Sequence, residues 1–303
     1  MMPGNRGSRA RIFHGIRLWQ NTRFTMAKPG HAAFVAAAVH PFFASHRPLV
    51  FAHRGGSHLA PENTLAAFDN GLALGADGLE LDVHLSRDGQ VVVHHDTLLD
   101  RTTDATGPIA SRTAAELRSV DAGHRFARDG AWPYRGRGIS VPTLADVLAR
   151  YSAARIIIEL KVNRREMAEA AVEVVRASGA IDRVCLGSFG TRVMRAARRL
   201  ERRLATSAGR EEVRWALYRS WVGWAPGHAG YQAFQVPEWT GTTRVVSPRF
   251  VRLAHAAGLF VQVWTVDTED DTRRLLDMGV DALITDRPDI VVPAVRHWVK
   301  ERG

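Results

Sequence analysis

Chemistry is densest in the run Glu80-Leu81-Asp82-Val83-His84. Alternate residues of a strand share a face, so Glu80, Asp82 and His84 fall on one side, opposite Leu79, Leu81 and Val83. Two carboxylates a few ångströms apart offer what a hard divalent cation requires: anionic oxygens that neutralise the ion and fix its geometry. A third carboxylate stands in Ile156-Ile157-Ile158-Glu159-Leu160-Lys161, where an apolar run reads as a buried strand with its charges kept to the C-terminal end. Glu159 and Lys161 share a face by the same period, which sets a metal acceptor beside a cation suited to phosphate. Lysine is scarce, with only Lys28, Lys161 and Lys300 among 41 basic residues, and this singles out Lys161. The plainer alternatives are the wet outer face of an amphipathic strand and a local ion pair.

A second set of groups surrounds these. His53-Arg54-Gly55-Gly56 ends another apolar run. Its imidazole exchanges protons near neutral pH, its guanidinium grips two phosphate oxygens, and its glycines let backbone approach a ligand. His94-His95-Asp96 adds an imidazole able to complete an acid–base pair with His53. Glu62 either ligates metal or favours the start of the helix that follows it.

These side chains need elements to hold them. From Pro48 onward, short β-rich apolar runs alternate with helical patterns, as parallel βα units do. Eight such runs occur, at 49–52, 78–84, 156–160, 184–187, 204–207, 233–236, 260–265 and 282–285. Eight parallel strands predict an α/β fold of the (β/α)8 TIM-barrel type, with an open doubly wound sheet as the rival. Asn63 is the expected N-cap of a helix over 64–74 that Gly75 ends, and Thr143 and Asp146 have the spacing of a capping box. Residues of about 90–138 break the rhythm and read as a small insertion after the second barrel strand, at the mouth of the site.

Taken in chain order, His53-Arg54-Gly55, Pro61-Glu62-Asn63-Thr64, Glu80-Leu81-Asp82, His95-Asp96 with Leu99-Asp100-Arg101-Thr102-Thr103, Glu159-Leu160-Lys161 and Thr285-Asp286-Arg287-Pro288 resemble the motif series of the glycerophosphodiester phosphodiesterase family. The resemblance runs from about Val50 to Pro293. It implies a barrel with a small insertion that hydrolyses glycerophosphodiesters to glycerol 3-phosphate and an alcohol, using a divalent cation. On matched positions it makes His53 and His95 the general acid and base, and Glu62, Glu80, Asp82 and Glu159 the metal shell. Arg54 and Lys161 would hold phosphate, and Gln235 and Trp264 would rest against a glycerol or head group. An all-oxygen shell favours Mg or Ca over Zn. A lysophospholipase D or sphingomyelinase D-like enzyme is the nearest alternative, and a silent phosphate- or lipid-binding barrel is the alternative of another class.

Composition bounds the rest. The chain has 303 residues, of which 46% are hydrophobic and 24% charged, enough for one large domain over 47–303 behind a leader over 1–46. The net charge of +10 points to nucleic acid until its distribution is seen. No Asp or Glu precedes Glu62, whereas Arg6, Arg9, Arg11, Arg17, Arg23 and Lys28 crowd the leader. Most of the excess therefore belongs to a basic, disordered arm, and no nucleic-acid partner is expected. The single Cys185 excludes an internal disulfide and a cysteine-based zinc site. A signal peptide beginning at Met26 lacks a small-x-small cleavage site after Phe43, so the cytoplasm is the default location. The stretch from Arg210 to Trp224 reads first as a helix packing Trp215, Trp221 and Trp224 on the barrel. Peripheral membrane contact and a lysolipid substrate are its alternative reading.

Overall fold

A computed structural model of the chain describes Met1, residues 39–227 and residues 230–302. Of the basic leader expected over 1–46, residues 2–38 lie outside the described residues. Eight parallel strands form the barrel: β1 (Leu49–His53), β2 (Gly78–Leu85), β4 (Arg155–Leu160), β5 (Val184–Gly187), β6 (Ala205–Thr206), β7 (Ala233–Pro237), β10 (Phe260–Trp264) and β11 (Ala282–Thr285). They pair in chain order, β1 with β2 and on to β6, then β7 with β10, β11 and back to β1. A parallel bridge between Ser207 and Ala233, backed by Ala208 N donating to Ala233 O at 2.8 Å, joins β6 to β7 and completes the circuit. Continuous apolar runs suit these strands because both faces of the sheet are covered.

The two faces build two cores. Outward residues such as Leu79, Leu81, Val83, Ile156 and Ile158 pack beneath the helices. Inward residues, among them Phe51, Ile157, Cys185, Ala205 and Ile284, fill the barrel axis. The outer helices are α1 (Leu65–Ala73), α3 (Leu144–Arg150), α4 (Arg165–Ala177), α5 (Thr191–Leu200), α6 (Arg210–Trp221), α7 (Pro248–Ala256), α8 (Glu269–Asp277) and α9 (Pro288–Arg302). Among the described residues, no helix is long and apolar enough to cross a membrane.

The body starts earlier than the sequence suggested. Pro41–Phe43 form a 3-10 turn whose Phe42 and Phe43 are buried at the N-terminal ends of the strands. Phe42 stacks on Phe51 with ring centroids 5.6 Å apart, and Phe43 stacks on Phe260 at 4.5 Å. Arg155 ties the turn down by donating to Phe42 O at 3.0 Å and Ala44 O at 2.7 Å. The leader boundary near residue 46 is thus corrected: two aromatic rings plug that end of the barrel.

The insertion follows β2 as expected. It comprises β3 (Val91–Val93), antiparallel to β2, and a short helix α2 (Ala114–Arg118) capped by Thr113 and Glu116. It closes over its own small core of Val92, Leu99, Ile109, Leu117, Val120 and Val141. A last hairpin, β8 (Trp239–Thr240) with β9 (Thr243–Arg244), stands on the mouth beyond β7.

Candidate active site

The C-terminal ends of the strands bring the charged residues together, as barrel geometry requires. The registers set His53 beside Glu80 and Asp82 beside Glu159 on neighbouring strands. Glu80, Asp82 and Glu159 each offer an oxygen within 4.8 Å of the others. Glu80 and Asp82 are buried, and a carboxylate in that position disfavours its own charge. Burial, followed by the charge of Asp82, pushes Glu80 up to about 8. Glu159 is raised for the same reasons, with Lys161 opposing. Asp82 goes the other way: burial is outweighed by Lys161 at 3.3 Å, Arg54 at 3.2 Å and the Asn63 amide at 2.9 Å. Repulsion among three converging carboxylates is the donor chemistry that a hard divalent cation relieves, so the residues fit such an ion.

Glu62 does not join them. Arg101 binds both of its oxygens at 2.7 Å and Arg54 Nη1 binds one at 3.0 Å, which holds the carboxyl below its usual range despite burial. Of the four carboxylates expected from the sequence to hold metal, three converge, and Glu62 is instead paired with two guanidiniums.

Each cleft-facing imidazole is gripped from behind by a carboxylate. A carboxylate only accepts, so the ring nitrogen facing it carries the proton. His53 Nδ1 donates to Asp286 Oδ1 at 2.8 Å, leaving Nε2 3.8 Å from Glu80. Burial pushes this imidazole down, but Glu80 and Asp286 outweigh it and raise it to about 9. His95 Nδ1 donates to Asp96 Oδ1 at 2.6 Å, and Arg101 braces Asp96 at 2.5 Å. His84 is buried behind, where it bonds His95 O at 3.0 Å, and His94 is spent on Thr102 and the Asp96 backbone. Of the adjacent pair, only His95 lines the cleft.

Local backbone explains the placement. Asn63 is not the N-cap of α1. Thr64 is, while Asn63 adopts φ +59° and uses its side chain on both the carboxylate and the backbone N of Asp82. Gly55, at φ +89°, passes so close to Ala67 that a Cβ would lie 2.6 Å from it, and this draws the His53-Arg54 turn onto α1. Arg54 Nε is buried 3.2 Å from Asp82 Oδ2, an ion pair without good hydrogen-bond geometry.

The cleft above these groups has a volume of about 1000 Å³. His53, Arg54, Glu80, His95, Glu159 and Lys161 line one end, with Gln235 and Trp264 beside them. Gln235 donates to Gln262 Oε1 at 2.8 Å and approaches Gly187 so closely that a Cβ there would meet its amide. The residues that sequence reasoning left without a role are Asp286 and Asp96, although both stand inside the motifs it used.

The family model of the glycerophosphoryl diester phosphodiesterases matches residues 53–290, which takes in every one of these groups. The chain belongs to this family. It is accordingly a phosphoric diester hydrolase. A glycerophosphodiester phosphodiesterase of Caldanaerobacter subterraneus subsp. tengcongensis is 30% identical over 257 residues, covering 82% of this chain and 98% of the relative. A probable glycerophosphodiester phosphodiesterase 2 of Mycobacterium tuberculosis is 34% identical over 254 residues, covering 80% and 89%. Among solved structures, an Oleispira antarctica phosphodiesterase in complex with the product sn-glycerol-3-phosphate superposes with a TM-score of 0.67 at 29% identity, covering 82% and 97%.

Proposed function

We propose that the enzyme hydrolyses glycerophosphodiesters to glycerol 3-phosphate and an alcohol, with His53 and His95 as its acid–base pair and Mg or Ca as its cation. The observation that carries this reading is the pair of imidazoles, each with Nδ1 fixed by a carboxylate and so with Nε2 left free, lining one cleft with three converging carboxylates. A phosphodiester is anionic and a poor electrophile, so negative charge must be offset and two protons moved.

Glu80, Asp82 and Glu159 would hold the cation, which when bound neutralises phosphate oxygens as a Lewis acid. Arg54 and Lys161 offer their guanidinium and ammonium charges to the same phosphate. One imidazole takes a proton from the attacking water, whose oxygen ends on phosphorus, and the other returns a proton to the departing alkoxide. Asp286 and Asp96 keep each ring in the tautomer that does this and stabilise it when it is doubly protonated. Gln235 and Trp264 stand where a glycerol or head group rests against the cleft.

The test is release of glycerol 3-phosphate from glycerophosphocholine and glycerophosphoethanolamine by the purified protein, with and without chelator. Loss of turnover on chelation and its return with Mg or Ca is the expected result. Turnover indifferent to chelator would overturn the role of the carboxylate triad, and full activity in His53→Ala would overturn that of the histidines.

A further inference from the structure

The expected helix over the Arg210 to Trp224 stretch forms as α6, but it does not pack its tryptophans on the barrel. Its inner face is Ala216, Leu217 and Ser220, whereas Trp215, Trp221 and Trp224 are 68%, 55% and 61% exposed. Across the cleft, Trp239 on the β8–β9 hairpin is 52% exposed. The rings form a connected surface: Trp215 meets Tyr218 at 6.2 Å and Tyr218 meets Trp221 at 5.2 Å. Bare aromatic area of this kind marks a docking surface in a soluble protein.

Arginines are interleaved with the rings. Arg219 lies over Trp224 at 5.6 Å, Arg244 over Trp239 at 5.6 Å, and Arg210 over Phe189 at 5.2 Å. The acids of α6 are turned to other work, because Arg198 takes both oxygens of Glu212 and Thr191 bonds Glu211. Tryptophan and tyrosine with arginine is the composition that settles at the head-group level of an anionic bilayer, where the rings enter and the cations stay with phosphate. The patch is also continuous with the cleft. Val213, Leu217, Tyr218 and Trp221 on one side and Trp239 and Val245 on the other lead from the exposed rings down to His53 and Glu80.

We propose that α6 and the β8–β9 hairpin seat the barrel mouth on an anionic phospholipid bilayer, and that the apolar wall of the cleft takes the acyl chain of a lysophospholipid lying in it. This rests on the phosphodiesterase reading and narrows its substrate class. The bond broken joins phosphorus to the head-group oxygen. The water oxygen ends on phosphorus, the proton on the departing head-group alcohol, and a monoacyl glycerol phosphate remains.

Three measurements on the full chain test it. Co-sedimentation uses vesicles of phosphatidylcholine with and without one part in three of phosphatidylglycerol. Turnover is followed on lysophosphatidylcholine embedded in the mixed vesicles and on soluble glycerophosphocholine. The variant is Trp215→Ser/Trp224→Ser, at two exposed positions that do not line the cleft. Wild type should bind the mixed vesicles in a salt-sensitive way. The variant should bind about tenfold less well and lose vesicle turnover in proportion, with glycerophosphocholine turnover unchanged. Absence of wild-type binding, or a variant that matches wild type on vesicles, overturns the inference. So does a wild-type dimer that the variant abolishes, since a second copy would then cover the patch. If glycerophosphocholine is cleaved but vesicles are ignored, only this inference falls. If neither diester is cleaved, the phosphodiesterase reading falls with it.

Discussion

The two ends of this barrel are built on opposite terms. At the N-terminal end Phe42 and Phe43 seal the axis with stacked rings, and hardly any charge is buried there. At the C-terminal end three carboxylates, two of them buried, face an arginine, a lysine and two histidines, and four tryptophans and a tyrosine lie open beyond them. Burying aromatic area lowers the free energy of the fold, whereas converging like charges raises it. The stable end therefore offsets what the reactive end costs, and substitutions at the two ends should fail in different ways.

The sharpest contrast comes from the mouth. His53→Ala or His95→Ala should lower turnover of glycerophosphocholine by about 10²–10⁴-fold with the unfolding midpoint nearly unchanged, as read by kinetics beside urea denaturation. Phe42→Ala should do the reverse: it should cost about 3–5 kcal/mol in the same denaturation while each folded molecule keeps its turnover rate. A Phe42 variant that lost activity without losing stability would break the division between the ends. Asp286→Asn should fall between, at about 10–100-fold in kcat, because the ring keeps its place but loses the partner that fixes its tautomer. A smaller effect is expected at His255, whose imidazole is raised by the Asp281 carboxylate 2.8 Å away. A raised group stabilises the fold below its ordinary range and loses that contribution as pH climbs through the raised value. Half-exposed pairs of this sort contribute under about 1 kcal/mol, so the denaturation midpoints of wild type and His255→Asn should converge as pH rises past the ordinary imidazole range.

What the sequence disclosed follows the range over which physical rules act. The faces of β2 and β4 were legible because a strand repeats every two residues, and Glu80, Asp82 and Glu159 met as that period requires. The capping boxes at Thr113 and Thr143 are likewise local in the chain, although only the second was read. The partner of His53 was hidden because Asp286 lies 233 residues away, brought in only by the closing pair of β1 and β11. Asn63 looked like an N-cap because a short polar residue before an apolar run usually is one; only the fold turns it to Asp82. The plug escaped notice since three residues cannot show a period, and the surrounding basic leader suggested disorder. Trp215, Trp221 and Trp224 share no single helical stripe, since Trp224 lies past the end of α6, and composition alone favoured burying them.

The Glu62–Arg101 clamp gives the insertion a part in the timing of the site. Arg101 and His95 belong to the insertion, whereas Glu62 and His53 belong to the barrel. The insertion has its own small core, so it has the makings of a cooperative unit that can open while the barrel persists. Opening of that unit would carry His95 away from His53, which stays with the barrel. An enzyme whose amide protons in residues 91–138 exchange faster than those of the strands would be one in which folding, on a small scale, continues throughout its working life.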